Sequence, residues 1–287
     1  GDLYNLFDIP NASNYFAFSI NNLLRFYCLN TDLECDDGMV NWFENDLQNY
    51  TGNENEPYWK FIQYHIPLAP HGEYSLVPSL INCYAEKFPL YNVRLSMDGH
   101  THVMKITHPI SPSSGAGSDS GYAIDNESGT VYIGEGSWGA PLRNLYVNTP
   151  QGKAYTWTKD QGKFAGFNII TTYKQKYEVR AVKFDDTSVA SVSQVQENDP
   201  VGTLPENLGY WIMDGDLAYT MYNNKFEFSD DASLAELNTS MGNLEPNFDS
   251  QSLNYTVSLE AGTTTVPDLI AVPNHPGATL EIINATN

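Results

Sequence analysis

Positive charge, cysteine and long apolar runs are all scarce in this sequence, and each shortage narrows what the chain can do. Fourteen Lys and Arg stand against 35 Asp and Glu, a formal net charge of −21. A nucleic-acid backbone is repelled by such a chain unless a basic patch is locally concentrated, and the sequence contains none. No nucleic-acid partner is therefore expected. No apolar run approaches the roughly 20 residues of a spanning helix, and no basic-then-apolar leader stands at the start, so no membrane span is expected. Cysteine is limited to Cys28, Cys35 and Cys83, an odd number that permits at most one internal bridge and leaves a thiol over. Cys28 lies in the apolar run 24–29 and Cys83 on an apolar helical stripe, which reads both as small buried hydrophobes rather than nucleophiles. Cysteine catalysis is not expected.

What is present is enough for one large domain or two ordinary ones: 287 residues, 41% hydrophobic, with 19 Tyr and 13 Phe to fill cores. The acidic balance is a statement about solubility rather than about partners. Six Asn-x-Ser/Thr sequons begin at Asn11, Asn49, Asn126, Asn238, Asn254 and Asn284, as suits an exported glycoprotein.

Periodicity then divides the chain. Alternating residues at 15–20 and 23–29 flank Asn21-Asn22 as a hairpin. Asp36-Asp37 caps a helix whose stripe includes Met39, Val40, Phe43 and Leu47. A β-run covers 59–65, a second amphipathic helix carries Leu80, Ile81, Tyr84 and Phe88, and a strand at 91–97 ends at Asp98-Gly99. The order β, α, β, α, β is a layered α/β pattern. After the Gly/Ser-rich loop 111–121 come β-runs at 130–133, 167–173 and 177–184, the last two a hairpin about 174–176. Residues 185–229 read as a surface excursion or linker, and 230–287, with short strands at 253–259 and 264–272, as a small all-β module.

The strongest chemical signal is Asp98-Gly99-His100-Thr101-His102, directly after a strand. Two His two apart point the same way along the pleat, and the glycine lets backbone approach a metal. Neutral imidazoles ligate Zn, Fe and Mn. His65, at the end of the 59–64 strand and just ahead of Pro67, lies where open α/β sheets place ligand sites, so three of the six histidines are expected to converge. His71 and His108 follow these elements on loops from which an imidazole could reach a metal-bound anion.

These residues resemble a known family. Tyr64-His65-Ile66-Pro67-Leu68 is similar to a His-x-Pro-Leu motif, Gly99-His100-Thr101-His102 to Gly-His-x-His, Trp42-Phe43-Glu44-Asn45-Asp46-Leu47 to a Trp-Leu-x-x-Asp-Leu helix, and the segment 129–136 to Gly-Thr-Val-Tyr-Ile-x-x-Gly. Together, over residues 1–184, they resemble the purple-acid-phosphatase-like branch of the calcineurin-like metallophosphoesterases. The resemblance implies an α/β, layered β-sandwich metallophosphoesterase fold with its C-terminal half present. It also implies two metal ions (Fe, Zn or Mn) bridged by hydroxide, with a phosphate ester across both. His65 and His100 would ligate one metal, His102 the other, and His71 would contact substrate phosphate, with His108 the second expected catalytic residue. The family's Asp-x-His, Gly-Asp and Gly-Asn-His motifs, which supply the remaining ligands upstream, are not found. Asp98-Gly99-His100 spells Asp-x-His but overlaps the later motif. Residues 1–287 thus hold about half of a dinuclear site.

Residues 230–287 resemble the cadherin-like repeats of bacterial surface proteins through Ala232–Leu237, Leu244–Phe248, Leu253–Val257 and Gly262–Pro267, which implies part of a small Ig/cadherin-like sandwich. The expectation is a secreted metal-dependent phosphoesterase with a possible extracellular-matrix or cell-surface partner for the repeat. The alternative is a structural or adhesive surface protein that uses the phosphoesterase fold as a scaffold.

Overall fold

The computed structural model describes residues 14–134, 140–184, 208–225, 233–274 and 280–283. The chain divides into two units, Gly1–Asn223 and Asn224–Asn287. Sequons Asn11 and Asn284, residues 135–136 of the 129–136 segment, and 185–207 and 226–229 of the expected excursion lie outside the described residues.

The first unit is built on the strands β1 (Phe16–Ile20), β2 (Leu24–Cys28), β3 (Trp59–Gln63), β4 (Val93–Asp98), β5 (Met104–Thr107), β8 (Val131–Gly134) and β9 (Thr158–Gly162). They form one sheet in the order β1-β2-β3-β4-β8-β5-β9, while β6 (Ile110–Pro112) and β7 (Tyr122–Ile124) pair separately. Strands β2, β3, β4 and β8 run parallel to one another, so Cys28, Gln63, Asp98 and Gly134 end at one common edge. β5 is antiparallel to β8 and leads away from that edge.

Side-chain alternation makes both faces of this sheet apolar, and each needs a cover. On one face Tyr27, Ile62, Tyr64 and Tyr132 pack against helices α1 (Asp37–Asn49) and α2 (residues 78–90, with a π turn at Ile81–Ala85). Met39, Phe43 and Leu47 are the buried stripe of α1, whose first turn is capped by the Asp36 carboxylate accepting from the Met39 amide at 2.9 Å. On the other face Trp59, Phe61, Leu95, Val131 and Ile133 meet Tyr177, Val179 and Ala181. These belong to a second sheet of β10 (Gly166–Thr172), β11 (Lys176–Phe184), β12 (Leu208–Tyr210) and β13 (Tyr219–Tyr222). The result is a helix layer, a mixed sheet and a second sheet.

Two expectations change here. Residues 208–222, read as linker, pair with β11 through β12 and β13 and place Met213 and Met221 in the core. Cys83, read as a buried hydrophobe, is bridged to Cys35, joining the entry to α1 to the π turn of α2 and leaving Cys28 as the free thiol.

In the second unit β14 (Leu234–Thr239) pairs with β17 (Leu269–Pro273), and β15 (Leu244–Glu245) with β16 (Thr256–Val257), all antiparallel. The strands expected at 253–259 and 264–272 are thus shorter than the sequence suggests. No described residue of this unit is fully buried. Among all the described residues no helix is long and apolar enough to cross a membrane.

Candidate metal centre

The common edge of β2, β3 and β4 is hollow. A cavity of about 290 Å³ lies there, lined by Cys28, Gln63, His65, Met97, Asp98 and Gly99 among others. The chain leaves β3 through His65 and β4 through Gly99, and the two exits are tied by the Gly99 amide donating to the His65 carbonyl at 3.2 Å. His65 and His100 are thereby brought face to edge, with ring centroids 4.9 Å apart and His65 Nε2 3.0 Å from His100 Nδ1.

The backbone that carries the second and third histidines is strained. His100 has φ 63° and His102 φ 52°, the left-handed region that costs a non-glycine residue about 1–2 kcal/mol. Two such residues around a fully buried Thr101 persist only where the surroundings dictate them, and such strain gathers at functional sites. The surroundings here are residues 140–146, which lie against the turn as a strap. Arg143 Nη1 donates to the His100 carbonyl at 3.1 Å, the Arg143 amide donates to the His102 carbonyl, and His102 Nδ1 is 2.8 Å from the Pro141 carbonyl. A carbonyl only accepts, so Nδ1 of His102 carries a proton, and in the neutral ring the lone pair is on Nε2. That is the tautomer a metal-ligating imidazole needs, fixed by its outer partner.

No family model matches the sequence, and no curated protein matches it. Among solved structures the chain is similar to purple acid phosphatase PPD1 from yellow lupin (Lupinus luteus) seeds, with 18% identity over 59% of this chain and 30% of that one and a TM-score of 0.44. It is similar to PhoD with 12% identity, 75% and 43% coverage, and a TM-score of 0.49. GAP50, the anchor in the inner membrane complex of Plasmodium, is 12% identical over 59% of this chain and 49% of that one, with a TM-score of 0.41. The chain spans less than half the length of each of these structures.

Of the five histidines singled out in the sequence, two come into direct contact. His102 is their neighbour, close enough to act on His100 electrostatically, but its ring is turned to Pro141. Among the described residues no three His, Cys, Asp or Glu side chains assemble into a group that could hold a metal. Burial first, then the charges of His65 and His102, hold the His100 pKa below its ordinary value.

His71 and His108 do not occupy the positions expected of substrate contacts. His71 is fully buried, packed edge-on against Tyr155 and Trp157. Its Nδ1 donates to the Ala69 carbonyl at 3.0 Å and its Nε2 accepts from Thr158 Oγ1 at 2.8 Å. The loop after β3 runs beside the histidine turn, with Gly72 against Thr101 and Tyr74 against His100, but the His71 ring points into the core and both its nitrogens are used in hydrogen bonds there. His108 follows β5, whose antiparallel course takes it to the far end of the sheet from the cavity. There its amide donates to the Trp157 carbonyl, and burial, with Lys159 and Lys153, lowers its pKa.

The buried His71 has a measurable consequence. Burial, aided by Lys105, holds its pKa well below the ordinary 6.5, so the folded chain keeps it neutral while the unfolded chain protonates it. The unfolded state then binds more protons, and stability is lost as pH falls below about 6.5, by up to about 1.4 kcal/mol per pH unit. Urea unfolding between pH 7 and 5 should show this slope, and His71→Gln should flatten it. A variant with an unchanged slope would assign the loss to other groups.

Tyr74, Pro141 and Arg143 went unnoticed in the sequence. They belong to no motif and lie in segments without periodicity, and only the long-range contact between loop 71–74 and the strap gives them a role.

Proposed function

We propose that residues 1–223 supply the C-terminal part of a secreted metal-dependent phosphoesterase, with His65 and His100 on one metal ion and His102 on a second. The observation that carries this is the 3.0 Å spacing of His65 Nε2 and His100 Nδ1. Two imidazole nitrogens bound about 2.1 Å from one octahedral ion, at roughly 90° to each other, lie about 3.0 Å apart. The left-handed turn, the fixed tautomer of His102 and the adjoining cavity support the same reading. When bound, such a metal pair lowers the pKa of a bridging water, orients the ester and neutralises charge on the attacking and leaving oxygens. The chain's own part is to hold the His65–His100 pair at the strand ends and to fix the tautomer of neutral His102 with its lone pair on Nε2. The Cys35–Cys83 bridge suits an oxidising compartment, as do the exposed sequon residues Asn49, Asn126, Asn238 and Asn254. In this reading residues 230–287 attach the enzyme to a cell-surface or matrix partner.

Titration of the chain with Zn²⁺ or Co²⁺ tests the centre. Binding of about one ion is expected, with His65→Ala and His100→Ala each weakening it at least about 100-fold. Residues 1–287 alone should hydrolyse p-nitrophenyl phosphate no faster than buffer, since the bridging carboxylate of a two-metal site is not among these ligands. A longer polypeptide carrying the three upstream motifs should be active, and His102→Ala should abolish that activity. A chain indifferent to metal would return the fold to the scaffold reading, and robust turnover by the 287 residues alone would show the ligands to be misassigned.

A further inference from the structure

We propose that Arg143 is the anion-binding residue of this centre, the group that receives a phosphate oxygen beside the histidine pair. The proposal rests on the phosphoesterase reading for the identity of the anion, but the site itself stands on independent geometry. The guanidinium carbon lies 4.7 Å from the centroid of the Tyr74 ring, and that ring is 4.2 Å from the ring of His100. Nη1 is spent on the Tyr74 hydroxyl and the His100 carbonyl. Both acceptors fix the fork in place. The remaining Nε and Nη2 hydrogens make no hydrogen bond among the described residues.

The charge is equally uncommitted. Among the described residues Arg143 makes no ion pair, whereas Arg25 is paired with Asp46 and Lys105 with Asp98. Glu73, next to Tyr74 in the chain, is otherwise engaged: it accepts from the Asn144 side-chain amide at 2.7 Å. A half-buried arginine, held on the face of the Tyr74 ring that itself packs against His100, is a pre-oriented donor to a tetrahedral oxyanion. The need for one is clear from the whole-chain charge of −21, which repels an anionic substrate unless a cation stands locally at the site.

Inorganic phosphate is the probe, titrated into the metal-free chain in EDTA and followed by NMR chemical shifts. Wild type should bind it, Arg143→Gln should bind it about 10- to 100-fold more weakly, and Arg143→Lys should fall between because it keeps the charge and loses the fork. Circular dichroism checks that the variants fold. A second measurement needs no variant: phosphate should protect Arg143 of the wild-type chain from phenylglyoxal, read by peptide mass spectrometry, and leave Arg25 unprotected. Equal phosphate affinity in Arg143→Gln, no binding by wild type, or unprotected Arg143 would each overturn the proposal. Phosphate binding that depends on Arg143 in a chain that takes no metal would retain the proposal and remove the metal reading.

Discussion

Lys105→Met is expected to lower the unfolding free energy by about 3–5 kcal/mol and to disturb the histidine turn along with it. Lys105 Nζ donates to Asp98 Oδ2 at 2.7 Å and to the Ala69 carbonyl at 2.6 Å, and neither partner's charged side chain has any exposure. Burial lowers the Lys105 pKa, opposed by Asp98. The aliphatic stem fills the space over Gly134, where an added Cβ would come within 2.9 Å of Lys105 Cγ. Methionine keeps much of that packing and removes the cation, so the cost isolates what an uncompensated Asp98 carboxylate does in the core. Asp98 is also the last residue of β4, one step from Gly99-His100. A carboxylate seeking solvent would pull on the strand end that aims His100. Breaking one side of a buried pair costs more than replacing both, so Asp98→Leu combined with Lys105→Met should recover most of the loss. Urea unfolding of the two single variants and the double variant decides the matter. Loss below about 1 kcal/mol in Lys105→Met would mean that Asp98 reaches water, and that this pair does not hold the edge of the site.

Such a pair was not legible in the sequence, and the reason is physical. A lysine between Met104 and Ile106 reads as the polar side of an alternating strand, whereas here both sides of β5 are covered. The residues that were legible are those whose partners are near in sequence or periodic. The stripe Met39, Phe43 and Leu47 marked α1, and the turn read at 174–176, one residue late, marked the β10–β11 hairpin. The convergence of His65 with His100 followed from strand ends and from the family resemblance. Residues 208–222 were missed because β12 and β13 have three and four residues, too short for alternation to show, with a Gly-containing turn between them. His71 and His108 were misplaced for a different reason. Distance along the chain from a strand end does not say whether a side chain on the loop turns into the core or toward the cavity, nor whether the next strand returns antiparallel. The strap 140–146 has no pattern at all, and its grip on residues 71–102 is purely tertiary.

Reducing the Cys35–Cys83 bridge should lower stability by about 4 kcal/mol at most, the chain-entropy value for closing a loop of this length. The two cysteines are separated by 48 residues, and the closed loop contains α1, β3 and both His65 and His71. The bridge therefore restrains the helix layer that covers one face of the main sheet. Its loss acts on the unfolded chain, so the folded core, with Phe43, Ile62 and Tyr84 still packed, should persist in the reduced protein at a lower urea midpoint. Cys35→Ala and Cys83→Ala should each reproduce the shift, and the double variant should be no worse than either single one because the same bridge is lost. Cys28 supplies the control. It is free, only partly buried and raised in pKa by burial, so alkylation of the oxidised native chain should label Cys28 alone and slowly. Two or three labelled thiols without reductant would mean that the bridge does not form. A reduced protein with an unchanged midpoint would show that the helix layer is held by its apolar stripe alone.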